Sequence, residues 1–121
     1  MGIIESSAGG LGLEASAIVT KVGSAVSGFA IGDRVIAFKS GCFSTKMHIS
    51  SMLCAKIPDG LSDADAATLP TVYSTVIHSL MNLGNLQSGQ TVLIHSACGG
   101  VGLAAIQLCR ALGAVVSFLI E

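Results

Sequence analysis

Charge is scarce in this 121-residue sequence: 11% of the residues are Asp, Glu, Lys or Arg, and none of them falls between residues 66 and 109. Six basic side chains against seven acidic ones leave a net charge of −1, with no cluster of Lys or Arg. A nucleic-acid backbone or an anionic membrane surface is recognised through such a cluster, so both are excluded as partners. A paired CxxC knuckle is also lacking, since Cys42, Cys54, Cys98 and Cys109 stand apart. No zinc centre follows from them and no metal is expected. With no secretory segment they read as reduced, mostly buried thiols of a cytoplasmic protein.

Nor is there an unbroken apolar run long enough to span a bilayer. The uncharged stretch is interrupted by Pro70, Asn82, Asn85, Gln87, Gln90 and a run of glycines. The terminal run over residues 111–120 falls short of the roughly 20 residues a spanning helix needs. What abounds is hydrophobic side chain, 51% of the chain. That suffices for one sizeable core, and so for one domain or two incomplete ones.

The first half carries short β-type runs at residues 17–22, 34–38 and 47–49, separated by glycine-bearing turns, which predicts antiparallel sheet. Pro58-Asp59-Gly60 is a turn, and Ser62 is placed to cap a short helix that opens with Asp63 and Asp65, acidic groups where backbone N–H groups lack partners. After Pro70, the spacing of Val72, Val76, Leu80 and Leu83 predicts a helix to about residue 82, ended by Gly84. Residues 91–95 form a compact apolar strand, a glycine-rich turn opens a helix reaching about Leu112, Gly113 ends it, and residues 114–120 are a second apolar strand. This β-turn-α-β order is the unit of a parallel nucleotide-binding sheet, so the fold class is α/β with a β-rich N-terminal part.

The chemistry-bearing segment is His95-Ser96-Ala97-Cys98-Gly99-Gly100-Val101-Gly102. Gly99 lets main chain approach a pyrophosphate, Gly102 lets the new helix lie against the strand, and the N–H groups at the helix start supply the anion site. No basic side chain is needed, and the nearest, Arg110, lies about two turns into the helix. Ser96, Ala97, Gly99, Gly100, Val101 and Gly102 are therefore the candidate cofactor-binding residues; the alternative is a tight structural turn. Ala97 replaces the first glycine of the usual GxGxxG spacing. Ser96 could place its hydroxyl near a phosphate or cap the loop. His95, His48 and His78 read as structural histidines.

Several segments together resemble a known family. Leu11-Gly12-Leu13-Glu14-Ala15-Ser16-Ala17-Ile18-Val19, Gly32-Asp33-Arg34-Val35, Ile57-Pro58-Asp59-Gly60-Leu61-Ser62, Ala66-Ala67-Thr68-Leu69-Pro70-Thr71-Val72-Tyr73-Ser74-Thr75 and the glycine segment resemble, in order, the enoyl-reductase region of fungal highly reducing polyketide synthases. This region is a zinc-free, quinone-oxidoreductase-like branch of the medium-chain dehydrogenase/reductase superfamily. Ala15 and Ser16 depart from its small glycine-type positions. The resemblance implies a partial GroES-like substrate-side domain over residues 1–65, followed over residues 66–121 by the start of a truncated Rossmann NADP-binding domain.

It further implies NADPH as cofactor, reduction of a 2,3-enoyl thioester carried on a carrier domain, and room for a homodimer of the parent enzyme. The family's proton-donor lysine and acidic residue lie in a later region, so no catalytic residue transfers except Tyr73, which matches a position near the nicotinamide; the alternative for Tyr73 is an aromatic on the domain-connecting helix. The 121-residue chain alone is accordingly expected not to turn over substrate. A fragment of a stand-alone quinone or enone oxidoreductase and a noncatalytic dinucleotide-binding remnant are the alternative readings.

Overall fold

A computed structural model describes residues 10–119. The chain divides into two compact units, Met1–Thr71 and Val72–Glu121.

In the first unit three strands form one antiparallel sheet: β1 (Glu14–Ile18), β2 (Arg34–Phe38) and β3 (Cys54–Lys56), in that order. β2 occupies the expected residues. Its alternation buries Val35 and Ala37, and the core of this unit is completed by Cys42, Ile57 and Ala66. β1 starts earlier than its apolar run suggests. Its register runs from Glu14 opposite Phe38 to Ile18 opposite Arg34, and Val19 makes the last bonds, to Asp33 and Gly32, in the turn that leads into β2.

Residues 47–49 are not a strand. Met47 and Ile49 are half-buried on either side of exposed His48, but the free edge of β2 is taken by β3, with Val35 opposite Lys56 and Ala37 opposite Cys54. Ser50 instead caps a 3-10 turn over Ser51–Leu53 that delivers the chain to β3. Ser62 caps α1 (Asp63–Ala67) as expected, its Oγ accepting the Asp65 N–H at 3.1 Å. α1 packs on β1 and β2.

The second unit opens within α2 (Leu69–Val76). The regular helix stops at Val76 and continues as a π-helical segment, Ile77–Leu83. Ser79 accounts for the change: its Oγ donates back to the Thr75 carbonyl at 2.7 Å and lies 3.3 Å from that of Val76, competing for the carbonyls on which α-helical bonds close. Gly84 ends the segment, donating to Ser79 five residues back.

β4 (Thr91–Ile94) and β5 (Val115–Phe118) are parallel, with Thr91 opposite Val115 and Ile94 opposite Phe118, and α3 (Gly100–Leu112) is the crossover. Gly113 closes α3 in the left-handed region at φ 75°, where glycine carries no Cβ penalty. The core here is Val76, Ile94, Ala97, Ala104 and Ala105, flanked by Val72, Tyr73, Leu80, Val92 and Val116. Small side chains on α3 let it lie close to the strands. Ile120, expected to end the second strand, lies outside the described residues. Among the described residues no helix is long and apolar enough to cross a membrane.

The architecture is thus an antiparallel GroES-like sheet followed by helices and the parallel start of a Rossmann-like sheet.

Candidate functional site: the loop between β4 and α3

β4 delivers the chain to His95 and Ser96, both exposed. Ser96 adopts φ 51°, one of two described non-glycine residues with positive φ. An L-residue in that region is unfavourable by about 1–2 kcal/mol, and the kink turns the backbone out of the strand. Ala97 dives into the core at 3% exposure and donates its N–H to Leu119. The Gly99 N–H donates to the Ser96 carbonyl at 3.1 Å, closing the turn.

Gly99 is the N-cap of α3, extended at φ −77° and ψ 164°, with no side-chain cap. The helix ladder begins with Leu103 N–H to Gly99 O at 2.9 Å. The amides of Gly100, Val101 and Gly102 therefore precede the first intrahelical bond and carry the positive end of the helix dipole. No acidic residue occupies the first turn. An anion at this position meets the N–H groups of the helix start and no acidic side chain from the first turn.

The glycines differ in what they accommodate. A Cβ on Gly102 would stand 2.7 Å from Ala97 Cα, Ala97 O and Ser96 O, so close packing of helix and loop demands glycine there. A Cβ on Gly99 would meet only Ser96 O, at an ordinary 3.5 Å. Among the described residues no packing contact requires Gly99, which leaves the solvent side as the place where a missing side chain makes room. Gly100 is intermediate, its Cβ position lying 3.3 Å from Val72 Cγ1.

Tyr73 lies on α2, half-buried against the same core, and its hydroxyl donates to Gln107 Oε1 on α3. Gln107 was not singled out from the sequence, although it is the lone polar side chain between Leu103 and Cys109. Val72, seated against Gly100, was read only as a helix-core position. Cys98 is exposed within the loop, Cys42 and Cys109 are buried, and all four thiols are free. Burial pushes the Cys109 thiol above its ordinary range; burial and then proximity to Cys42 do the same to Cys54. His48 and His78 are exposed outside the loop, on the segment before β3 and the π-helical segment. A groove of about 530 Å³ lined by Leu80, Leu86, Gln90 and Leu93 lies beside β4, and does not include the glycine loop. Among the described residues no three His, Cys, Asp or Glu side chains come together as a metal would require.

Residues 4–72 match the model of the alcohol dehydrogenase GroES-like domain. The chain belongs to that family. Within it, the chain is homologous to the enoyl-reductase region of fungal highly reducing polyketide synthases. It is 56% identical to highly reducing polyketide synthase ALT1 of Alternaria alternata over 95% of its own length and 4% of the synthase. CurK enoyl reductase superposes with a TM-score of 0.88 at 34% identity, covering 93% of this chain and 34% of CurK. Mycobacterial Rv1454c, solved with NADPH, superposes at 0.81 with 30% identity over 91% of this chain and 35% of that protein. The chain thus spans about a third of these solved relatives and a small part of the synthase.

Proposed function

We propose that the chain is part of an NADPH-dependent enoyl reductase of a polyketide synthase, and that the loop between β4 and α3 is its pyrophosphate-binding element. The observation that carries this reading is the start of α3: three amides ahead of the first helical bond, a glycine N-cap without a side chain, and no acid in the first turn. A dinucleotide pyrophosphate fits those donors, and the missing Gly99 side chain, whose Cβ position touches Ser96 O alone and at an ordinary 3.5 Å, gives it access to main chain.

In this reading the amides of Gly100, Val101 and Gly102 hold the phosphates and the Ser96 hydroxyl lies within the same turn. Ala97 anchors the turn in the core, and Gly102 keeps α3 against it. Tyr73 braces α3 through Gln107. NADPH, when bound, supplies hydride to the β-carbon of a 2,3-enoyl thioester. The first unit is the GroES-like, substrate-side part and the second begins the cofactor domain. The substrate arrives as an acyl thioester on a carrier domain, the parent enzyme acts as a homodimer, and the free thiols suit the cytoplasm.

The test is calorimetric titration of NADPH into the full-length polypeptide carrying this sequence, beside Gly99→Val. Loss of affinity with the fold retained is expected, and unchanged affinity in a folded variant rejects the assignment of the loop. Assays of NADPH oxidation with a crotonyl thioester and with a quinone then separate an enoyl reductase from a quinone reductase.

A further inference from the structure

At position 96 the backbone and the side chain make opposite demands. Ser96 stands at φ 51°, in a region that glycine enters freely and that other L-residues enter only at a cost. Elsewhere among the described residues that region is occupied by glycine, with Asn85 the one other exception. A short polar side chain can offset part of the cost by bonding to nearby backbone, as asparagine does. Ser96 has no such compensation: it is exposed, and its Oγ has no hydrogen-bond partner among the described residues.

The left-handed turn is fixed by main chain on both sides of Ser96, within the second unit. Leu119, just past β5, donates its N–H to Ile94 O at 2.9 Å and accepts the Ala97 N–H at 3.3 Å. Ala97 is sunk in the core, and the Gly99 N–H returns to Ser96 O at 3.1 Å. None of these bonds uses the Ser96 side chain. A glycine at 96 would keep all of them and relieve the backbone as well. The hydroxyl thus has no task in the fold, at a position where any side chain is unfavourable, three residues ahead of the N-cap of α3.

We propose that Ser96 is a binding residue whose hydroxyl donates to a phosphate oxygen of the dinucleotide, and that its side chain is kept against the preference of the backbone for glycine. The inference rests on the dinucleotide role assigned to the loop and adds a side-chain donor where the loop otherwise offers main chain. An ionised phosphate oxygen is the acceptor that suits it, because a hydroxyl bound to such an oxygen makes the stronger, charge-assisted kind of bond.

The experiment measures NADPH affinity by calorimetric titration, and melting temperature without ligand, in the full-length polypeptide for the wild type, Ser96→Ala and Ser96→Gly. Ser96→Ala removes the hydroxyl and keeps the Cβ, so it is expected to bind NADPH about tenfold more weakly at an unchanged melting temperature. Ser96→Gly should lose at least as much affinity and yet melt higher than the wild type, since its backbone is relieved. Stability and affinity moving in opposite directions is the signature of a ligand contact; a residue that only shaped the turn would lose both together.

A folded Ser96→Ala protein that binds NADPH as the wild type does overturns the proposal, and so does a Ser96→Gly protein that melts no higher than the wild type. If Ser96→Ala does not fold, the affinity of Ser96→Gly decides on the same criterion. A wild-type protein that takes no NADPH removes the dinucleotide reading itself and this inference with it. Normal wild-type binding with indifferent Ser96 variants removes this inference alone.

Discussion

Gly102 lies so close to Ala97 that a Cβ placed on it would stand 2.7 Å from both the Ala97 Cα and its carbonyl oxygen. Neither atom belongs to a side chain that can swing away, so Gly102→Ala must part α3 from the turn after β4. The cost expected is that of overpacking, about 1–3 kcal/mol. Gly99→Ala, with ordinary contact at 3.5 Å and negative φ, should stay within about 0.5 kcal/mol. Denaturant titration of both variants checks the pair, and equal losses would show that the two glycines are not distinguished by packing.

Tyr73→Phe tests what the phenol does. If it braces α3, the loss is one hydrogen bond at an exposed acceptor, about 0.5–1.5 kcal/mol. Gln107→Ala should then cost a similar amount and the double variant little more, because both singles break the same bond. Turnover of the full-length enzyme should fall by less than about tenfold in either variant. A hundredfold fall in kcat for Tyr73→Phe with Gln107→Ala silent would instead place the hydroxyl on the substrate.

The parts of this fold that could be read from sequence are those whose cause is local. Ser62 and Asp65 meet across one helical turn, Gly113 is demanded by a left-handed φ, and the apolar runs of β4 and β5 name themselves. Residues 47–49 misled because alternation shows a half-buried extended segment without showing which segment pairs with β2; that is decided by Cys54–Lys56, beyond a 3-10 turn. The break at Val76 depended on Ser79 turning back on its own helix, a rotamer choice invisible in composition. The glycine loop was legible as a motif. The division of labour within it was not, since only packing against Ala97 separates Gly102 from Gly99. The bond between Glu14 and Thr71, 57 positions apart, left no pattern at all.

The four thiols should react in an order set by exposure. Cys98 is exposed in the glycine loop, whereas Cys109 is fully buried, with a thiol that burial raises above its ordinary range. Thiolate is the reactive form, so a disulfide reagent near pH 8 should label Cys98 first and reach Cys109 only on unfolding. Mass spectrometry after timed labelling decides, and early label on Cys109 in the native protein would contradict the packing of α3. NADPH should slow labelling of Cys98 if the dinucleotide occupies the loop.

Asp33 ties the turn before β2 to the end of β3. Its Oδ2 lies 2.8 Å from the Lys56 ammonium and accepts the Ala30 N–H at 2.7 Å. The hydrogen bond from Lys56 is the larger influence and that from Ala30 the next, and together they hold the carboxyl below its ordinary value of 3.8. The sign follows from linkage: a carboxyl depressed in the folded state contributes stability that is present above its unfolded pKa and is lost as pH falls through the folded one. The loss should therefore appear below about pH 4. The bond is at the surface and open to salt, so its effect is small and best read by difference. Asp33→Asn removes the titrating group while keeping an acceptor for Ala30, so melting temperature followed from pH 6 to pH 3 should fall less steeply for the variant over the lowest part of the range. High salt should draw the two profiles together. Profiles that run parallel at low salt would mean that Lys56 does not hold the carboxylate in solution.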